Sequence, residues 1–298
     1  MFVIGTLFLI TNFMYMQYIT LLMENDKLPY ISVIIIAYQR KEFILKAITS
    51  VLNQTLDKEY YEIIVIKNFG DKYIDDFIDK NNIIGIISVQ DSLGGKLQEA
   101  LNIARGTVIS FLEDDDLFSE NKLGVVYKEF TKDNNIVYYH NAYIPINSEG
   151  KPIHKDNIDT SIVFNMSSIS IKKAIIEMDK ADKINGSTDT LMYLCALEST
   201  KKIIKGKEKL TYYMVHNSAS NIISNNFEEY RKYLIAVSDL YLNNYLLFSN
   251  LFHSKKAINY LNSQITSTQI LEYIFGSHKS PSKLITLTPQ FFREYICT

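Results

Sequence analysis

Only two cysteines, Cys195 and Cys297, occur in 298 residues, far apart and in no CxxC pair. Their scarcity argues against a disulfide framework or a cysteine zinc site and makes a reducing compartment the default. Neither charge is in excess: 31 basic and 33 acidic side chains leave a formal net charge of −2. A nucleic-acid binder would carry a basic surplus, so no nucleic-acid partner is expected. Tandem repeats and low-complexity stretches are missing, and with 47% hydrophobic and 21% charged residues the chain reads as globular, not disordered. Tryptophan is absent and proline scarce while Ile, Tyr, Asn and Lys abound. That bias is typical of AT-rich coding sequence and carries no function.

The two ends differ from the middle. Residues 1–23, MFVIGTLFLITNFMYMQYITLLM, contain no charge, and about 20 mostly apolar residues suffice to cross a bilayer. Thr6, Thr11, Asn12, Gln17 and Thr20 dilute the run, and no Lys or Arg precedes it to form a signal peptide. Two readings stand side by side: a membrane anchor, or an upstream extension of a soluble protein that starts near Met23. After Asn226 the pattern is amphipathic and helical, FEEYRKYLIAVSDLYLNNYLLFSNLF and then KKAINYLNSQITSTQILEYIF. Such helices usually pack on their own domain; lying on a membrane surface is the second reading.

From Pro29 strands and helices alternate. Apolar, β-branched runs at 31–38, 62–66, 83–89 and 107–112 read as strands buried on both faces. Between them, Ile44, Ala47, Ile48, Val51 and Leu52 form one helical stripe, Ile74, Phe77 and Ile78 a second, and Leu97, Ala100, Leu101 and Ala104 a third. Gly106 is placed to end the third helix. Four such units imply an α/β protein with a parallel sheet covered by helices on both faces, and ligands then bind at the carboxyl ends of the strands.

Those ends carry Ala37-Tyr38-Gln39-Arg40, Lys67-Asn68-Phe69-Gly70-Asp71, Gln90 to Lys96, and Glu113-Asp114-Asp115-Asp116. Four consecutive carboxylates repel one another unless a cation offsets them. Oxygen ligands select Mg²⁺ or Mn²⁺, ions that also hold phosphate oxygens. Leu93–Lys96 opens a helix with backbone N–H groups and one ammonium, both suited to a diphosphate, although no Walker motif is present.

The order PYISVIIIAYQR, SVLNQT, YEIIVIKN and GGKLQEALNIARGTVISFLEDDDLF resembles the inverting family 2 glycosyltransferases of the A-type fold, over residues 30 to about 216. The resemblance implies a Rossmann-like mixed sheet with helices on both faces, extended by C-terminal helices. It divides the chain into a hydrophobic segment (1–28), a transferase domain (29–222, nucleotide half 29–118 and acceptor half 119–222) and a helical tail (223–298). It also implies a nucleoside-diphosphate sugar donor, with UDP or GDP, and a glycan or lipid-linked hydroxyl acceptor. By the family's motifs Asp115 is the metal ligand, with Asp116 as its rival, and Asp114 faces the ribose. Glu113 stands where many members have Asp. Ala37, Tyr38 and Arg40 fall in the loop that touches the base, and Asn68 replaces the usual base-binding Asp. Lys96 takes the basic position near the nucleotide, and His216, in MVHNSAS, approaches the diphosphate or metal. Asp189 matches the catalytic base, with Thr188 in place of the usual Glu; the alternative is a plain helix N-terminal Asp. The other histidines, His140, His154, His253 and His278, have no motif around them. YIPINSEGKPIH reads as a hairpin turning at Ser148-Glu149-Gly150.

The expected activity is therefore a metal-dependent inverting glycosyl transfer in the cytoplasm, at the inner face of the membrane if residues 1–22 anchor the chain. A degenerate sugar-nucleotide binder or partner subunit is the rival, motivated by Lys67-Asn68, Glu113 and Thr188. A nucleotidyltransferase is disfavoured because AYQRKEF has no glycine after the first strand.

Overall fold

A computed structural model describes residues 28–153, 165–178, 182–215 and 227–275. In chain order the elements are β1 (Ile31–Ala37), α1 (Lys41–Leu52), β2 (Tyr61–Lys67), α2 (Lys72–Lys80), β3 (Ile84–Ile87), α3 (Leu93–Ile103), β4 (Val108–Glu113) and β5 (Leu117–Phe118). There follow α4 (Lys122–Lys132), β6 (Ile136–Ile146), β7 (Ile169–Lys172), α5 (Thr188–Glu198), β8 (Lys202–Met214), α6 (Phe227–Phe248) and α7 (Lys255–Phe275).

The strands form one mixed sheet in the order β3-β2-β1-β4-β7-β6-β8-β5. The first four are parallel, with Ile34 opposite Ile64 on one side and Phe111 on the other. β7 enters antiparallel between β4 and β6. β6 and β8 therefore run in the same direction as β4, and all their carboxyl ends share one edge of the sheet. β1 and β2 are buried almost throughout, as unbroken apolar runs demand. β3 is shorter than its apolar run suggests and alternates half-exposed with exposed residues, because it is the sheet's outer strand.

Two cores flank the sheet. One contains Ile35, Ile44, Val65 and Phe130; the other joins Ile34, Leu97, Phe111 and Leu194 with Tyr245, Phe248 and Leu261. The C-terminal helices α6 and α7 thus share a core with α5 and the sheet. Among the described residues no helix is long and apolar enough to cross a membrane. The hydrophobic segment 1–27, and with it the anchor reading, lies outside the described residues.

Gly106 does not end α3. The helix stops at Ile103, capped at Ala104, and Gly106 lies against β1, where a Cβ would come within 2.4 Å of the Ser32 nitrogen. Its N–H donates to Ser32 Oγ at 2.8 Å. The glycine is required by close backbone approach, not by a cap. The 147–151 turn does form: Asn147 N donates to Lys151 O at 2.9 Å, Gly150 adopts φ +81°, and Ile146 bridges Pro152.

Candidate active site

Two parallel strands, β1 and β4, bring the first half of the site together. The Tyr38 N–H donates to Asp114 Oδ2 at 3.1 Å, and Arg40 bridges the carboxylates of Asp114 and Asp115. Beside them, Gln39 N donates to Asn68 Oδ1 at 3.1 Å, joining the ends of β1 and β2. Gln39 carries a left-handed φ of +60°, a strained conformation for a side-chain-bearing residue that persists only where neighbours fix it. Ala37, Tyr38, Arg40, Asn68, Asp114 and Asp115 therefore stand at one strand edge, in the arrangement their positions in sequence imply.

The SVLNQT segment has a structural task here. Gln54 Nε2 donates to Ser119 O at 2.7 Å, its Oε1 accepts from Leu123 N at 2.8 Å, and Thr55 N donates to Glu120 O at 2.8 Å. These bonds tie α1 to the chain directly after the acidic run and fix where that run points.

Asp114, Asp115 and Asp116 are all buried, at 0%, 9% and 1% exposure. Burial pushes Asp114 up to about 6, although Arg40 opposes the shift, and pushes Asp116 up to about 7, with the Asp115 charge adding to it. Glu113 rises well above the usual carboxylate range, through burial and then repulsion from Asp116, Asp115 and Asp189. Asp116 turns inward: its Oδ1 accepts from Met214 N at 2.8 Å, and Oδ2 has no hydrogen-bond partner among the described residues. Near it lies Lys122, a fully buried side chain that donates to Ser167 O and, at 3.1 Å, to Thr211 Oγ1; burial pushes its pKa well below the usual lysine range, and the Asp116 charge opposes that shift. The lysine lies 3.9 Å from the centre of the Phe118 ring. Nothing in the sequence singles out Lys122, because burial of a helix-start lysine depends on β8 arriving above it.

The Leu93–Lys96 loop departs from its expected role as a diphosphate cradle. Leu93 N donates to Asn185 Oδ1 at 3.0 Å, Gly94 N to Ile184 O at 2.9 Å, and Gly95 N to Ser92 Oγ at 3.0 Å. Lys96 is buried and donates to the carbonyls of Gln90, Asp91 and Ser92 at 2.6, 3.0 and 3.3 Å. Its ammonium still lies 5.5 Å from the Tyr38 ring centre, and burial lowers its pKa. The helix start binds the segment 182–185 instead of presenting free N–H groups. Lys67 is likewise internal: it is buried, donates to Phe69 O at 2.7 Å and pairs with Asp75 at 2.6 Å.

Asp189 sits in the first turn of α5 and accepts from Thr190 N at 2.7 Å. Burial raises its pKa. Its charge raises the pKa of Glu113 and also of Tyr138, Tyr241, Tyr245 and Tyr260, contributed by β6, α6 and α7. The residue assigned as base and the acidic run thus belong to one electrostatic unit. His216 lies outside the described residues, as do His154 and His278.

Among the described residues no three His, Cys, Asp or Glu side chains converge as a metal cage. A Mg²⁺ or Mn²⁺ held jointly with substrate phosphates needs only one or two carboxylates, the rest being water and phosphate oxygens. Asp114 and Asp115 converge on one cation already, the Arg40 guanidinium. The donor set therefore fits a divalent ion that arrives with a diphosphate.

Comparison with known proteins agrees with this architecture. Residues 32–194 match the family described as glycosyl transferase family 2. An uncharacterized glycosyltransferase of Rickettsia bellii is 36% identical over 132 residues, covering 43% of this chain and 19% of that protein. The poly(ribitol-phosphate) beta-glucosyltransferase of Bacillus spizizenii is 26% identical over 224 residues, covering 66% of this chain and 35% of its own. The chain thus spans about a fifth to a third of the length of these two relatives. Among solved structures, the mannosyltransferase PcManGT from Pyrobaculum calidifontis, in complex with GDP-Man and Mn²⁺, superposes with a TM-score of 0.58 at 12% identity, covering 90% of this chain and 81% of that one. S. aureus TarS 1-349 in complex with UDP-GlcNAc gives 0.54 at 12%, covering 88% and 80%. The acidic strand end, the SVLNQT brace and the matched span together place this chain in glycosyl transferase family 2.

Proposed function

We propose that the protein is a metal-dependent, inverting glycosyltransferase that moves a sugar from a nucleoside-diphosphate donor to a hydroxyl of a glycan, lipid or polyprenyl carrier. The observation that carries this reading is the convergence of Asp114 and Asp115 on a single cation position, with Asp189 near enough for its charge to raise the pKa of Glu113. Ala37, Tyr38 and Asn68 line the strand ends where the base and ribose would lie, with Asp114 on the ribose side. Asp115 would hold the divalent ion together with the diphosphate; Asp116, turned toward Lys122 and Met214, serves better as the internal brace of the motif. When bound, Mg²⁺ or Mn²⁺ would neutralise charge that builds on the leaving diphosphate.

Asp189 takes the proton of the acceptor hydroxyl as that oxygen forms its bond to the anomeric carbon. The bond from that carbon to the diphosphate breaks on the opposite face, which inverts the configuration. The raised pKa of Asp189 moves it toward the operating pH, where a general base works best. Its tyrosine surroundings keep bulk water from competing for the acceptor's place. The name of the Bacillus relative supports a hydroxyl-bearing polymer as one acceptor class, and the two structural relatives support UDP- and GDP-sugars as first donors. A cytoplasmic site of action rests on the free thiol of Cys195, and attachment to the inner membrane face on residues 1–23 alone.

One observation favours a second reading. Lys96 and the α3 N-terminus are engaged by the protein itself, which suits a binder of sugar nucleotides that does not turn them over. Calorimetric titration with UDP and GDP, with and without Mn²⁺, separates the cases when paired with donor turnover. Metal-dependent binding lost in Asp115→Asn supports the site; tight binding without turnover of any donor supports the second reading. Failure of either nucleotide to bind the folded protein would sink both.

A further inference from the structure

The segment leading into Asp189 is held in a conformation it would not choose. Ser187 adopts φ +57° and ψ 25°, left-handed values that cost a side-chain-bearing residue about 1–2 kcal/mol. Such strain persists only where the surroundings over-determine it, and here it lies two residues before the carboxylate assigned as base. Two elements distant in sequence grip the segment from opposite sides. The start of α3 takes the upstream part through Leu93 and Gly94, as described above.

The downstream part belongs to α6. Asn244, buried at 6% exposure, donates from Nδ2 to Gly186 O at 3.2 Å and reaches Ser187 Oγ at 3.4 Å. The neighbouring Tyr245 is buried at 4% exposure, and the Thr190 and Ser187 side chains oppose the rise that burial gives its pKa. The fit is close: a Cβ on Gly186 would touch Leu240 Cδ2 and Tyr241 Cε1, each at 3.5 Å. From α7, Tyr260 packs edge-on against Tyr193 of the helix that carries Asp189, ring centres 4.9 Å apart. Helices in the C-terminal third of the chain thus hold the backbone on both sides of Asp189.

We propose that Asn244 and Tyr245 form a clamp that fixes the Gly186–Ser187 elbow and so aims Asp189, which makes α6 a positioning element of the site. The geometry of the clamp stands on its own; the chemical role of Asp189 rests on the function proposed above. A rotation of the elbow would turn the first turn of α5, carrying the carboxylate away from Glu113 and from any acceptor oxygen. A misplacement of about 1 Å is enough to cost a rate on the order of a hundredfold.

The test uses the full chain and Asn244→Leu, which keeps the side-chain volume and removes the donor. Hydrogen exchange is followed at amides 186–191, with the β1 amides 31–37 as a control for global opening. Loss of a hydrogen bond to a buried carbonyl should speed exchange at 186–191 about tenfold and leave β1 unchanged. Tyr245→Phe, which keeps the ring, should give about a threefold rise. UDP affinity in the presence of Mn²⁺ should stay within about twofold, since no nucleotide-edge residue is touched. Hydrolysis of UDP-GlcNAc, with water as acceptor, should lose about tenfold in kcat at unchanged KM.

Unchanged exchange at 186–191 in both variants would overturn the clamp. So would equal acceleration at β1, which would mean that Asn244 only stabilises the fold. If the wild-type protein binds neither UDP nor GDP in the presence of Mn²⁺ while exchange responds as stated, the clamp stands and the proposed reaction falls.

Discussion

At the carboxyl ends of β1 and β4, residues 75 and 76 positions apart meet because two parallel strands lie side by side: Arg40 reaches Asp115 and Tyr38 reaches Asp114. Around Asp189 nothing comparable occurs. Its neighbours arrive from β4, β6, α6 and α7, and its own approach is a strained elbow gripped by α3 and α6. The charges differ as well. Of three buried aspartates at the first edge, Asp114 and Asp115 pair with Arg40, whereas Asp189 has no such cation among the described residues and sits near tyrosines. On the proposed function, the first edge is the one that would hold a cation and its diphosphate. The other edge places one half-buried carboxylate at a helix start, the position the proposed function gives to the base.

The sharpest way to separate the edges is Asp189→Asn. Removing a general base typically costs 10²–10⁴-fold, so donor turnover should fall about a thousandfold while UDP binding with Mn²⁺ is unchanged. Parallel loss of nucleotide binding would show that the edges are not separable. Asp115→Asn makes the converse cut. Breaking a buried charge pair costs about 2–5 kcal/mol, so metal-dependent UDP affinity should drop about thirtyfold or more, read by calorimetry, without a change in the environment of Asp189.

Gly106→Ala tests whether the nucleotide edge depends on the backbone contact behind it. The new Cβ would press on Ser32 N and Ile31 C, and overpacking of this kind costs about 1–3 kcal/mol. Denaturant melts should show that loss; a midpoint equal to wild type would mean the strands can shift without penalty.

The smallest effect is the pH slope of the free protein. Asp114 near 6 and Asp116 near 7 keep protons in the folded state that they lose, unfolded, at about 3.8. The folded state therefore binds more protons between these limits, and stability falls as pH rises from about 4 to 7. Thermal melts from pH 5 to 8 should show the decline, and Mn²⁺ with UDP should flatten it. A stability that climbs over this range would refute the assignment of buried, raised carboxylates.

Much of this was legible in the chain. Unbroken β-branched runs such as ISVIIIA can only be strands buried on both faces, and an acidic run ending one of them falls at a strand edge. The motifs therefore located Tyr38, Arg40, Asn68, Asp114 and Asp115 before any coordinates. Gly106 was misread because a glycine after a helix looks like a cap whether or not a strand presses against it. The internal partners of the Leu93–Lys96 loop are hidden for a related reason: a helix start with free N–H groups and one filled by a distant carbonyl have the same sequence. Lys122, Asn185 and Asn244 carried no signal, since each matters through a partner 45 to 92 residues away.

The sequence by itself determined the alternation of strands and helices, the edge at which chemistry must lie, and the family, because periodicity and strand-end position are local properties of the chain. Only the tertiary structure decided which polar groups are satisfied within the protein, and that α6 and α7 pack against α5 and the segment leading into Asp189. Hydrogen bonding and burial depend on what packs from elsewhere, and no local pattern records it.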